Sequence, residues 1–405
     1  MNKVISTEKS PIKLWLDDME DGALEQAKNL ANLPFLHKWV SIMPDAHQGY
    51  GMPIGGVIAT EGVVIPNAVG VDIGCGMCAV KTSLKEIETE TLKKILGEIR
   101  DVIPVGFNHQ KEIQNIDLMP GVSELDKNTL PVLEYAKSIG MIVRQEFMNA
   151  TKQIGSLGGG NHFVEIQKGD DGHIWIMIHS GSRNIGYKVA EHYNKVAIEL
   201  NEKWFSSIPK EHQLAFLPMN TNEGKNYIKE MNYCVEFALA NRKLMMDRVK
   251  DCFIKFFDTS RNGLWIDEDI INIAHNYARL ENHVGKNVWV HRKGATSAKE
   301  GEIGIIPGSQ GTKSYIVRGK GNPESFTSCS HGAGRKMGRK EAQRTLNLEE
   351  EKKKLEDKGI LHSIRGTRDL DEAPGSYKNI SKVMENQKDL VDIVVELNPL
   401  GVVKG

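Results

Sequence analysis

The chain is 405 residues long, 40% apolar and 26% charged, which is the composition of a folded protein with a sizeable core and excludes global disorder. Lys plus Arg (52) nearly cancels Asp plus Glu (53), so bulk charge advertises no nucleic-acid or membrane surface, and no apolar run is long enough to span a bilayer. The unusual figure is glycine: 39 residues, gathered in short separate clusters.

In chain order, periodicity predicts a helix over residues 18–31, then short strands at 39–43, 63–65 and 79–81, and a helix over 86–102. A helix over 130–147, strands at 163–167 and 174–178, and a helix over 186–204 follow. The clearest helical pattern covers 222–257, where Tyr227, Met231, Cys234, Val235, Ala238, Met245 and Val249 keep one apolar face. Strands at 288–291, 303–306 and 315–318 precede a helix over 339–358, whose charged stretch 349–358 reads as a solvated face. The apolar run 390–403 contains Pro399 and Gly401 and reads as two strands with a turn. Strands and helices alternate without a regular period, and neither an internal repeat nor a Pro/Ser-rich linker interrupts them. The expectation is therefore a mixed α/β (α+β) fold in one continuous domain, 1–405.

Five cysteines, an odd number, do not make a disulfide framework, and the polar segment 1–13 carries no secretory signal. Both point to the reducing cytosol, hence a cytoplasmic protein.

Five glycine clusters hold residues capable of chemistry. They are Val71-Asp72-Ile73-Gly74-Cys75-Gly76, Gly158-Gly159-Gly160-Asn161-His162, His179-Ser180-Gly181-Ser182-Arg183, Pro307-Gly308-Ser309-Gln310-Gly311, and Ser328-Cys329-Ser330-His331-Gly332-Ala333-Gly334-Arg335. Any one of them alone is an ordinary tight turn. None follows the dinucleotide-binding or Walker A pattern, which disfavours a dehydrogenase or P-loop NTPase. Recurrence is the stronger signal: His162, His179 and His331 border clusters, and Asp72 with Cys75 lies in another. These side chains bind divalent transition metals, and glycine loops can bring them together from distant positions. A metal site is the joint reading.

Cys75-Gly76-Met77-Cys78 spells a C-x-x-C redox motif, but a strand rather than a helix follows it, and no second Cys pair supports a zinc knuckle. Asp45 and His47, in Met43-Pro44-Asp45-Ala46-His47, read either as a polar turn or as a proton-transfer pair. His275-Asn276 follows an apolar run and is compatible with an interior histidine.

Taken together, the motifs Gly70-Val71-Asp72-Ile73-Gly74-Cys75-Gly76-Met77, Gly160-Asn161-His162-Phe163, His179-Ser180-Gly181-Ser182-Arg183, Pro307-Gly308-Ser309 and His331-Gly332-Ala333-Gly334-Arg335 resemble the RtcB family, in the family's order and over about residues 12–405. Its members are GTP- and manganese-dependent RNA ligases of tRNA splicing and RNA repair. The resemblance implies central β-sheets flanked by helices around a loop-built metal site. It also implies a reaction in which a histidine attacks the α-phosphorus of GTP and becomes a histidine–GMP. The guanylyl group then passes to an RNA 3′-phosphate, itself derived from a 2′,3′-cyclic phosphate, and a 5′-hydroxyl RNA end displaces GMP.

Carried over by motif, His331 is the nucleophile. One Mn2+ falls to Asp72, Cys75 and His162, and a second to Cys75, His179 and His275, with a shared thiolate between them. From ligand softness alone zinc would be expected; manganese comes from the resemblance. Guanine-nucleotide contacts fall on Asn161, His162, Phe163, Val164, Glu165, His275, Asn276, Pro307, Gly308, Ser309, Gln310, Ser314, His331, Gly332, Ala333, Gly334 and Lys404. Glu165 suits the guanine N1–H and 2-amino edge, and Arg183 and Arg335 suit phosphate. Asp45 and His47 are expected to face the RNA ends.

Departures from the pattern are Cys78, an oxidation liability beside the bridging thiol, together with Gln310, Ala46-His47-Gln48 and Ala274; none removes a ligand. With no bulk charge, RNA is expected to meet a local basic surface formed by Arg292, Lys293, Arg335, Lys336, Arg339 and Lys340. The motifs define no activating protein partner. Competing readings are a dinuclear metallophosphohydrolase, which has no use for a histidine nucleophile, and a non-ligating RNA-binding rescue factor.

Overall fold

The computed structural model describes residues 1–126, 130–257 and 264–405. Among these, most strands fall into two sheets. A six-stranded sheet runs in the order Lys3–Ile5, Ile12–Leu14, Leu36–His47, Ile54–Thr60, Lys286–Lys293 and Asn276–His283, with Ile12–Leu14 parallel to Leu36–His47 and the other pairs antiparallel. A seven-stranded antiparallel sheet runs Ile271–Ala274, Gly76–Lys81, Ile174–Ser180, Phe163–Gly169, Val391–Lys404, Ser314–Gly319 and Ile303–Ile306.

The second sheet buries both faces, which is why its strands read as continuous apolar runs. On the outer face Cys78, Val80, Val164, Ile166, Ile176 and Ile178 pack against helix Asn222–Phe256 (Met245, Met246, Val249, Phe253) and helix Thr89–Val102 (Leu92, Ile95, Leu96, Ile99). On the inner face Met77, Ala79, Trp175, Met177, Ile316 and Leu397 share one cluster with Ile271, Ile273, Ile303 and Ile305 of the two edge strands. The edges thus close on a common core, and the sheet curls towards a barrel.

Period-two alternation then decides which side chains face inward at the end of the curl. Phe163 pairs with His179 and Gly76 with Ser180, so one end of the sheet gathers Cys75, His162 and His179. In Val391–Lys404 the register slips between Pro399 and Gly401: Pro399 opposes Gln167 and Gly401 opposes Ile166. One extra residue reverses the faces beyond it. Val395 and Leu397 point inward before the bulge; after it Val403 joins the outer core, leaving Val402 opposite Glu165 and Lys404 opposite Phe163. The terminal run is therefore one bulged strand, not two strands with a turn.

Two expected helices are each divided. Residues 130–147 form Val132–Ile139 and Met141–Gln153, separated by Gly140. The Glu230 carboxylate occupies the space a Cβ at Gly140 would need and accepts from the Val143 N–H at 2.7 Å, starting the second helix from outside the segment. Residues 339–358 form Arg339–Thr345 and Leu348–Glu356, the second capped by Asn347, whose side chain accepts from the Glu349 and Glu350 N–H groups. Strands Ile54–Thr60 and Asn276–His283 were not expected; glycines in the first and charged residues in the second mask the β pattern.

Candidate metal and nucleotide site

The loop between the short 3-10 turn Pro66–Ala68 and strand Gly76–Lys81 delivers Asp72 and Cys75 to the mouth of the curled sheet. The Cys75 Sγ lies 3.4 Å from His162 Nε2 and 3.3 Å from His179 Nε2, and Asp72 Oδ2 lies 3.3 Å from His162 Nε2. Sulfur and nitrogen ligands at about 2.3 and 2.1 Å from one tetrahedral ion stand about 3.5 Å apart, so these spacings fit ligands of a shared cation.

The tautomers fit as well. His162 Nδ1 donates to Leu157 O at 2.9 Å and His179 Nδ1 to Asn161 O at 3.1 Å, which leaves each Nε2 lone pair directed at the sulfur. Burial holds His179 and His275 well below the usual imidazole range, hence neutral and able to ligate. Burial and the neighbouring Asp72 carboxylate push the Cys75 thiol well up, a cost that a divalent cation reverses.

From this cluster the imidazoles continue in file. Ring centroids are 5.2 Å apart from His162 to His179, 5.2 Å from His179 to His275 and 4.8 Å from His275 to His331. His275 sits where the chain leaves one sheet for the other, its N–H donating to Cys75 O at 2.8 Å, and its buried Nδ1 has no hydrogen-bond partner among the described residues. Asn276 locks the junction by donating to Asp72 O at 3.0 Å and accepting from the Gly294 N–H at 2.8 Å.

His331 opens onto a cleft of about 870 Å³. Its Nδ1 lies 2.6 Å from Asp45 Oδ2, which also accepts the His331 backbone N–H at 3.1 Å. Two glycines make this fit. A Cβ at Gly294 would press on the His331 ring, and one at Gly334, where φ is +72°, would strike the Asp45 carbonyl. Asp45 is fully buried, so it faces His331 and not an incoming RNA end. His47 does line the cleft; burial lowers its pKa to about 4.

Asn161, Phe163, Glu165, Asn276, Pro307, Gly308, Ser309, Gln310, Gly332, Ala333, Gly334, Arg335 and Lys404 all line the same cleft. Burial raises Glu165 to about 8, and Gln167 bridges it to Ser314 with hydrogen bonds of 2.5 and 3.0 Å. Ser314 therefore lies behind Gln167, where its hydroxyl also accepts from the Gly308 N–H at 3.1 Å. Val164 belongs to the outer core by strand alternation, so its side chain does not face the cleft. Arg183 stands behind His162, donating to Ser156 Oγ and Gly106 O, both at 3.1 Å.

Three expectations need correction. Cys78 faces the apolar core under helix Asn222–Phe256, where burial raises its thiol to about 12, so it is not a liability at the site. Arg292 is 0% exposed and grips Glu281 with both nitrogens, at 2.5 and 3.1 Å. Lys293 is also buried, donates to Tyr50 O and Asn67 O, and is held to about 7 by burial. Neither is exposed, whereas Lys336, Arg339 and Lys340 are.

Sequence reasoning missed Glu372 and Tyr377, which line the cleft beside Arg335 and Lys404. The available signal was Asp371-Glu372-Ala373-Pro374-Gly375-Ser376-Tyr377, an acidic pair leading into a turn-rich aromatic segment. No described helix is long and apolar enough to cross a membrane.

Comparison with known proteins shows the family of the chain. The family model described as tRNA-splicing ligase RtcB matches residues 26–405. The chain is 36% identical to the RNA-splicing ligase RtcB of Escherichia coli (strain K12), over 100% of this chain and 99% of the relative. It is 33% identical to the tRNA-splicing ligase RtcB of Pyrobaculum aerophilum and 32% identical to that of Thermococcus kodakarensis, in both cases over 98% of this chain and 95% of the relative.

Proposed function

The chain belongs to the RtcB family, and from that premise we propose that it is a cytosolic RNA ligase that joins an RNA 3′-phosphate or 2′,3′-cyclic phosphate end to a 5′-hydroxyl end with GTP and manganese. The observation that carries this reading is the Asp45–His331 pair opening onto a cleft beside the Cys75–His162–His179 cluster.

With Nδ1–H committed to Asp45, His331 offers the Nε2 lone pair to the α-phosphorus of GTP. The Nε2–P bond forms as the bond to the β-phosphate oxygen breaks, and pyrophosphate leaves. An RNA 3′-phosphate oxygen then attacks that phosphorus and frees Nε2. The 5′-hydroxyl of a second RNA attacks the 3′-phosphate; GMP leaves and a phosphodiester remains. A cyclic phosphate is opened by hydrolysis before these steps.

Asp72, Cys75 and His162 would hold one Mn2+, and Cys75, His179 and His275 the other. When bound, the ions supply charge neutralisation for the phosphates and the developing oxyanion. Glu165 reads the guanine edge, Phe163 and Lys404 flank it, and the glycines of the 332–334 loop let the backbone come close to phosphate. Lys336, Arg339 and Lys340 offer a local cationic surface to RNA, which reconciles a near-neutral chain with a polyanionic substrate.

The test is direct. RNA carrying a 2′,3′-cyclic phosphate and RNA carrying a 5′-hydroxyl are incubated with the protein, GTP and Mn2+, and the products are resolved on a denaturing gel. A joined product that requires GTP supports the reading. Hydrolysis of the cyclic end without joining contradicts it.

A further inference from the structure

At the wall of the cleft one carboxylate collects four donors from three separate segments of chain. Glu372 Oε1 accepts from Arg335 Nη2 and, at 2.6 Å, from Arg339 Nη1; Oε2 accepts from Lys404 Nζ at 3.0 Å and from the Tyr377 hydroxyl at 2.5 Å. The group is 7% exposed. Burial alone would raise its pKa, but the charges of Lys404, Arg335 and Arg339 prevail and lower it to about 2. Gln310 Nε2 donates to the Glu372 carbonyl at 2.9 Å, so the acid's own backbone is tied to the Pro307–Gln310 loop.

Its partners stand on two sides of the site. Lys404 ends the bulged strand opposite Phe163, with Nζ 5.7 Å from that ring, and is close enough to Glu165 for its charge to lower that acid. Arg335 stacks over Tyr377 at 5.1 Å and follows the His331–Gly334 loop. Arg339 extends to the Gly158–Asn161 loop, where a Cβ on Gly160 would stand 3.3 Å from its Nη2. A lysine and two arginines on flexible stems have no fixed spacing by themselves. A single planar carboxylate shared among them imposes one.

Resting on the guanylyl-transfer reading above, we propose that Glu372 is a positioning residue. It holds Lys404 on the base side and Arg335 and Arg339 on the phosphate side at one spacing, so that a guanine nucleotide meets a preset array. Acting through those side chains, it sets affinity for GTP and preference for GTP over ATP, and it touches no reacting atom.

The experiment measures adduct formation on the full-length protein with Mn2+ and labelled GTP or ATP, comparing wild type with Glu372→Gln. The expected result is a KM for GTP raised about tenfold, the worth of one charged hydrogen bond, with kcat little changed and the GTP-to-ATP preference reduced. A merely structural role lowers the amount of active protein and leaves both KM and preference unmoved, which overturns the proposal. Should Glu372→Gln fail to fold, Tyr377→Phe removes one donor and keeps the ring. A smaller shift in the same direction is expected, and an unchanged KM and preference would overturn the idea. Wild-type protein that never carries label defeats the underlying reading, and this inference with it. A labelled wild type with an indifferent Glu372→Gln defeats this inference alone.

Discussion

His331 Nδ1 and Asp45 Oδ2 lie 2.6 Å apart although 286 residues separate them in the chain. The acid is fully buried and the imidazole reaches the cleft, so the pair has a closed side and an open side. The carboxylate selects the tautomer with Nδ1–H, which leaves Nε2 unprotonated on the open side.

Replacing Asp45 with Asn keeps the shape and removes that selection. Single-turnover labelling of Asp45→Asn by GTP should slow by about 10²- to 10⁴-fold, the usual worth of a positioned acid–base partner, while GTP binding changes little. A labelling rate equal to wild type would mean the pair is only a packing contact.

The shared thiolate makes a separate demand on metal content. Cys75→Ala should lose both manganese ions, because each proposed ligand set includes that sulfur, whereas Asp72→Ala should lose one. Elemental analysis after dialysis checks this. Two ions retained by Cys75→Ala would refute a bridging role.

Lys404 faces the cleft only because of the bulge between Pro399 and Gly401. Inserting one alanine between Val403 and Lys404 keeps the bulge and the pairing up to Val403 opposite Val164, and turns the lysine to the other face. The insertion should weaken GTP binding at least as much as Lys404→Ala does, with the sheet retained by circular dichroism. Binding at the wild-type level would show that the register is not what aims Lys404.

Glu165 gives the nucleotide step a pH dependence. Its carboxyl is raised to about 8, and only the ionised form accepts both guanine donors. Below that pH, binding must first release a proton, so the KM for GTP should climb as pH falls, towards tenfold per unit. Above about pH 8 this contribution vanishes. Glu165→Gln should bind GTP more weakly and flatten the slope; an unchanged slope would place the titration elsewhere.

Arg292 and Lys293 test the corrected view of the charges. Arg292→Glu with Lys293→Glu opposes the buried Glu281 with another acid and strands it, a loss of about 3–5 kcal/mol or more. The variant should show a lowered thermal midpoint or fail to accumulate, and its guanylylation should fall with its folding. A stable variant with selectively weakened RNA binding would restore the exposed-patch reading.

What could be read from the chain was what lies contiguous in it. Asp72, Cys75, His162, His179 and His331 each border a short glycine-rich segment, so residue type marked them as candidate metal ligands, while the nucleotide contacts of 161–165 and 331–334 came only from the resemblance. The strand at 163–167 was legible too, whereas the terminal run, read as two strands with a turn, is one bulged strand because Pro399 and Gly401 mark a bulge. Asp45 as a partner of His331, and Glu372 as a hub for Lys404, Arg335 and Arg339, depend on contacts across 32 to 286 residues, which local patterning does not encode. Arg292 misled for a related reason. A basic residue reads as exposed unless its buried acid is visible, and Glu281 reaches it only across the turn of a hairpin.

The most direct measurement is denaturing electrophoresis of the protein after incubation with α-labelled GTP and Mn2+. The account predicts label on the protein, lost on acid treatment, absent in His331→Ala and discharged when an RNA 3′-phosphate is added. Label that never remains with the protein, or that persists in His331→Ala, would contradict it.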